Sequence, residues 1–124
     1  MRWIVDGMNV IGSRPDGWWR NRHRAMAALV HQLEQWAMRD DMDVTVVFEQ
    51  PPTPPIGSTV ITVAHAPLAA PNSADDEIVR MVYAEANPRQ IRVVTSDRAL
   101  ADRVRSLDAT VFPAERLRDL IDPQ

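Results

Sequence analysis

Short apolar runs alternate with longer stretches of helical spacing along this chain, and that alternation leaves few folds open. "RWIVD" (residues 2–6) reads as a buried strand that ends in a carboxylate. A loop over residues 13–21 follows, marked by Pro15, Asp16 and Gly17. Met26, Leu29, Val30, Leu33, Trp36 and Ala37 then recur as one apolar helical stripe. "DVTVVFE" is a second buried strand, ending in Glu49. "QPPTPPIGS" is a proline-rich surface connection, and "TVITVAHA" a less buried strand. Ser73 reads as the N-cap of a helix through "ADDEIVRMVYAEA", with Ile78, Val82 and Ala86 on one face and Asn87-Pro88 ending it. "QIRVVTSD" is a third core strand, running to Asp97. "RALADRVRSL" is a helix with Leu100, Ala101, Val104 and Leu107 inward. "ATVF" is a short last strand, and "PAERLRDLI" a last helix with Pro113 near its first turn.

Strands alternating with helices imply βαβ units, hence an α/β fold with a mainly parallel sheet and helices on both faces. In such sheets the ligand site lies outside the carboxyl ends of the strands. At 124 residues the chain has room for a single domain, residues 1–124. It has no long apolar run and no basic-then-apolar leader, so a cytoplasmic location away from any membrane is expected. Cysteine is absent, which removes disulfides and thiolate metal sites. All 14 basic residues are arginine. Mechanisms that need a lysine, such as a phosphate-binding loop or a Schiff base, are therefore excluded.

The strand ends carry acid. Asp6 closes the first strand, Glu49 the second, and Thr95, Ser96 and Asp97 follow the third. Asp75 and Asp76 stand in the first turn of the helix after the loop of residues 65–72. Taken singly, most have a structural reading. Asp97 suits an N-cap, Asp75 and Asp76 suit the positive end of a helix dipole, and Glu49 suits a solvated strand end. Asp6 is different, because a carboxylate directly after Trp3-Ile4-Val5 is at risk of burial and then needs a partner or a cation. Carboxylates converging on one edge repel, and a hard divalent cation such as Mg²⁺ or Mn²⁺ relieves this with oxygen ligands. Such a cation also supports phosphodiester hydrolysis. His23, His31 and His65 show no paired ligand spacing, so zinc chemistry is disfavoured.

"VDGMNVIG", "VVFEQ", "NSADDEIVRMV" and "VVTSD", in that order, resemble the NYN domains of the YacP type, within the PIN-like nuclease superfamily. The resemblance covers most of the chain. It implies a three-layer α/β/α sandwich and a metal-dependent endoribonuclease acting on single-stranded or unpaired RNA. By position it gives Asp6, Asp75 and Asp97 as Mg²⁺ or Mn²⁺ ligands. Asn9 would orient a carboxylate, a water or substrate, and Asp76 is the second choice of acid in its motif. Related sequences often carry Phe-Asp where this one has Phe48-Glu49, which leaves open whether Glu49 ligates directly or through water. Met8 stands at the family's tyrosine-like position.

RNA contact is expected from "GWWRNRHR", where Trp18 can stack an unpaired base and Arg20, Arg22 and Arg24 can neutralise phosphates. Trp19 is read instead as packing on the helical stripe or at an interface. Arg98, beside Asp97, would meet a phosphate or pair with Asp102. A homodimer, and a ribosome or other RNA–protein assembly, stay open as partners. Two other functions compete: a catalytically inactive PIN-like module that binds RNA or a partner, and the toxin half of a toxin–antitoxin pair. A phosphatase of the haloacid-dehalogenase type is disfavoured, since Met8 stands where its second aspartate belongs and its lysine is missing.

Overall fold

The structure, a computed structural model, describes residues 1–67, 70 and 72–122. Ten elements follow in chain order: β1 (Arg2–Asp6), α1 (Gly7–Ile11), α2 (Arg22–Asp40), β2 (Asp43–Phe48), β3 (Thr62–His65), α3 (Ser73–Ala84), β4 (Ile91–Val94), α4 (Arg98–Arg105), β5 (Thr110–Phe112) and α5 (Ala114–Ile121). Short 3-10 turns cover Trp18–Arg20 and Pro88–Gln90. The strands form one sheet in the order β3-β2-β1-β4-β5, and every pairing is parallel. This is a three-layer α/β/α fold. No helix among the described residues is long and apolar enough to cross a membrane.

Side chains alternate across the sheet because successive strand residues face opposite sides. Trp3, Val5, Val44, Val46 and Phe48 join one core with α1, α2 and α5. Ile4, Val47, Ile91 and Val93 join the other, with α3 and α4. The expected stripe of α2 is what that helix buries: Met26, Leu29, Val30, Leu33, Trp36 and Ala37. Trp36 meets Trp3 edge to face at 5.0 Å, a favoured geometry for two aromatic rings. Asn21 starts α2 by accepting the Arg24 N–H at 3.0 Å, satisfying one of the free donors at the helix end.

Several local expectations are corrected. Between β1 and the loop of residues 13–21, Gly7–Ile11 form the short helix α1, an element the spacing did not announce. Gly7 leaves its space to a neighbour, since a Cβ there would lie 2.5 Å from the Phe48 ring. Ser73 is not the N-cap of α3. Asn72 holds that position with φ 62°, while the Ser73 hydroxyl donates to the Glu49 carbonyl at 3.1 Å. That helix ends at Ala84, so Ala86 lies beyond it and is exposed.

Sheet order reverses about β1. The chain moves from β1 to β2 to β3, then returns to place β4 on the other side of β1. The carboxyl ends of β1 and β4 therefore flank a topological switch point, where open α/β sheets hold ligands.

Candidate active site

Asp6, the last residue of β1, is 6% exposed. Thr95, which follows β4 and is itself buried, donates its hydroxyl to Asp6 Oδ2 at 3.0 Å. The Asn9 backbone also hydrogen-bonds the Asp6 carboxylate. No arginine pairs with it among the described residues. Burial pushes its pKa up to about 7; the Thr95 bond opposes the rise, while Asp75 and Asp97 add to it.

Asp97 serves as the N-cap of α4, its Oδ1 accepting the Leu100 N–H at 3.0 Å. Its own N–H donates to Thr95 Oγ1 at 3.1 Å. Thr95 thus joins Asp6 to the start of α4, a role sequence reading did not assign. A Thr-Ser-Asp step after a core strand was the available signal, but the partner lies 89 residues away. Asn9 has a related part. Its Oδ1 accepts the Ser96 N–H at 2.8 Å, so α1 and the β4–α4 loop are tied together. Ser96 in turn donates to Glu115 Oε2 at 2.8 Å, anchoring the same loop to α5.

Asp75 is half-buried in the first turn of α3. Its pKa is raised first by burial and then by Asp97, with smaller additions from Asp76 and Glu49, while Arg103 pulls it down. These mutual effects place Asp6, Asp75 and Asp97 near one another, with Asp76 and Glu49 beside Asp75. Asp76 has an ion pair of its own: it is exposed and pairs with Arg103 at 3.0 Å, linking α3 to α4. Glu49 is exposed just beyond β2.

The donor set is one of hard oxygens, with a buried carboxylate lacking a cationic partner. Chemically this fits Mg²⁺ or Mn²⁺. In spacing, no three carboxylate or histidine side chains among the described residues are gathered as a ready metal cluster. Asp6 is met by two neutral donors, the Thr95 hydroxyl at Oδ2 and the Asn9 backbone, and Asp97 by one at Oδ1, the Leu100 N–H.

The basic stretch divides. Arg20 and Arg24 line a cleft with Trp18, and Arg22 lies over the Trp18 ring at 5.5 Å. Trp18 is half-buried against the core of α1 and α2 while still lining this cleft, and Trp19, expected to pack, is 50% exposed. Arg98 is exposed at the start of α4, and no ion pair among the described residues joins it to Asp102. His23 donates from Nε2 to the Pro54 carbonyl at 2.8 Å, and His31 is exposed on α2.

The model of the YacP-like NYN domain matches residues 3–124, nearly the whole chain. The chain belongs to this family. Two crystal structures of Rae1 (YacP) from Bacillus subtilis share the fold. One, of a point mutant, has TM-score 0.81 and 24% identity over 98% of this chain and 76% of that one. The other has TM-score 0.78 and 22% identity over 98% and 74%. No curated protein matches the chain significantly. Membership of the NYN family supports a nuclease-type function concerned with RNA. The four stretches that resembled an NYN domain now have places. "VDGMN" and "VVTSD" meet at the switch point, "VVFEQ" closes β2, and "NSADD" opens α3 beside them.

Proposed function

We propose that this NYN domain is a metal-dependent endoribonuclease that hydrolyses single-stranded or unpaired RNA in the cytoplasm. The observation that carries the reading is Asp6: a buried carboxyl at the switch point, without a cationic partner among the described residues, on which Asp75 and Asp97 press. Asp6, Asp75 and Asp97 would hold Mg²⁺ or Mn²⁺. When bound, the cation supplies a water of lowered pKa and neutralises charge on the phosphoryl oxygens. Asp6 contributes by giving up its proton. Thr95 and the Asn9 backbone fix the carboxylate in place. Asn9 and Ser96 hold the β4–α4 loop, so Asp97 keeps its place relative to Asp6. Glu49, exposed and close enough to act on Asp75, would hold an outer water rather than ligate directly. Arg98 would meet a phosphate from the start of α4.

The absence of a ready three-carboxylate cluster among the described residues favours a second reading, a module of the same fold that binds RNA without cutting it. Cleavage separates the two. Purified protein is incubated with end-labelled single-stranded RNA of mixed sequence, with Mn²⁺ or with chelator. Cleavage that needs Mn²⁺ and falls on the order of a hundredfold or more in Asp6→Asn and Asp97→Asn supports the nuclease. Equal cleavage by wild type and both variants would remove the assignment, and binding without cleavage would favour the module.

A further inference from the structure

A cleft of about 380 Å³ opens between the Trp18–Arg20 turn, the first half of α2 and α5. Its size falls in the range of roughly 300–1,000 Å³ typical of small-ligand sites. Six side chains give it its chemistry: Asp16, Trp18, Arg20, Arg24, Gln32 and Arg118. Arg20 and Arg24 belong to no ion pair among the described residues, so two uncompensated cations line this cleft in a chain of net charge -3. Arg118 is only 9% exposed. Its Nη2 donates to Asp16 Oδ2 at 3.0 Å, but its buried Nε has no acceptor, with Asp122 Oδ1 standing 3.8 Å away. Arg118 thus stands between two carboxylates, Asp16 and Asp122, and Arg20 and Arg24 are the cations of the cleft left to meet an anion.

The cleft is also close to the acidic edge. α1 begins directly after Asp6, and its last residue, Ile11, lines the cleft. The five residues of α1 span about 7.5 Å at the helical rise. An anionic ligand with a flat polar ring matches this set. Arginines neutralise a phosphate, the guanidinium plane and the Trp18 ring offer surfaces to a base, and the Asp16 and Gln32 side chains can read its edge.

We propose that this cleft holds one unpaired nucleotide of an RNA strand while a neighbouring linkage lies at the acidic edge. The inference rests on the nuclease reading for its strand but not for its binding. Ala28, exposed on α2, also lines the cleft, so Ala28→Trp fills it without altering charge. The test measures binding of a short fluorescent single-stranded RNA to the full chain. An Asp97→Asn background prevents cutting, since asparagine still caps a helix. Binding should weaken about tenfold or more in Ala28→Trp and in Arg20→Ala/Arg24→Ala, with the salt dependence reduced only in the double variant. Circular dichroism melts check that both variants fold. Unchanged affinity in folded Ala28→Trp, or no RNA binding by the background protein at low salt, overturns the cleft. Mn²⁺-dependent cleavage by wild type is scored separately. Cleavage with an unaltered KM in Ala28→Trp leaves the nuclease and removes the cleft. Cleft-dependent binding without cleavage does the reverse.

Discussion

Thr95 joins Asp6 to Asp97: its hydroxyl donates to Asp6 Oδ2 at 3.0 Å and accepts the Asp97 N–H at 3.1 Å. One buried side chain thereby sets the positions of two acids 91 residues apart in the chain. Thr95→Val keeps the shape and removes both contacts. It should cost about 1–3 kcal/mol of stability, since a buried carboxyl loses its donor. It should also raise the Asp6 pKa further, because the Thr95 bond now holds it down. Denaturant melts read the first effect. A carbon-13 titration of the Asp6 carboxyl reads the second.

Asp97 has two jobs that substitution can separate. Asp97→Asn preserves the cap on α4 and removes the charge; Asp97→Ala removes both. Cleavage should be lost in each. Stability should fall by about 1 kcal/mol only in the alanine variant. Equal stability of the two variants would show that the cap is not engaged.

Asp75 and Asp76 should diverge although they are neighbours. Asp75→Asn should abolish cleavage, because Asp75 shares the edge with Asp97 and Glu49. Asp76→Asn loses an exposed ion pair with Arg103, worth no more than about 1 kcal/mol, and should keep its activity. Single-turnover cleavage of one RNA by both variants decides this.

The Asp6 carboxyl makes stability pH-dependent in the presence of chelator. Unfolded, it ionises near 3.8; folded, it ionises at about 7. Between those values the native state holds a proton that the unfolded state has lost. Its contribution to stability therefore falls as pH rises from 4 to 7 and levels off above. Asp6→Asn lacks this contribution, so the variant should gain on wild type as pH rises, by an amount on the order of a few kcal/mol at pH 8. Paired melts from pH 5 to pH 8 measure the difference.

The elements that were legible from sequence are those with a strong period. The stripe from Met26 to Ala37 and the runs at residues 2–6 and 43–48 bury what their spacing implied. α1 was not legible, because Gly7–Ile11 is too short to show a period, and the reason for Gly7 is a Phe48 ring 41 residues on. That the acids share one edge was legible because parallel strands bring their carboxyl ends to the same side. Thr95 and the Asp76–Arg103 pair were not, since a hydroxyl or an arginine carries no sign of which distant carboxylate it will meet. The cleft likewise needs α5, whose Arg118 reaches Asp16 across 102 residues.

Asp6, Asp75 and Asp97 are proposed to hold one cation site together. Calorimetric titration of metal-free protein with Mn²⁺ above pH 7, where Asp6 is ionised, tests it most directly. Wild type should take up Mn²⁺ with a gain in melting temperature. Asp6→Asn, Asp75→Asn and Asp97→Asn should each lose most of that affinity, while Asp76→Asn keeps it. Wild type and all four variants binding Mn²⁺ alike, or none binding it at all, would contradict the account.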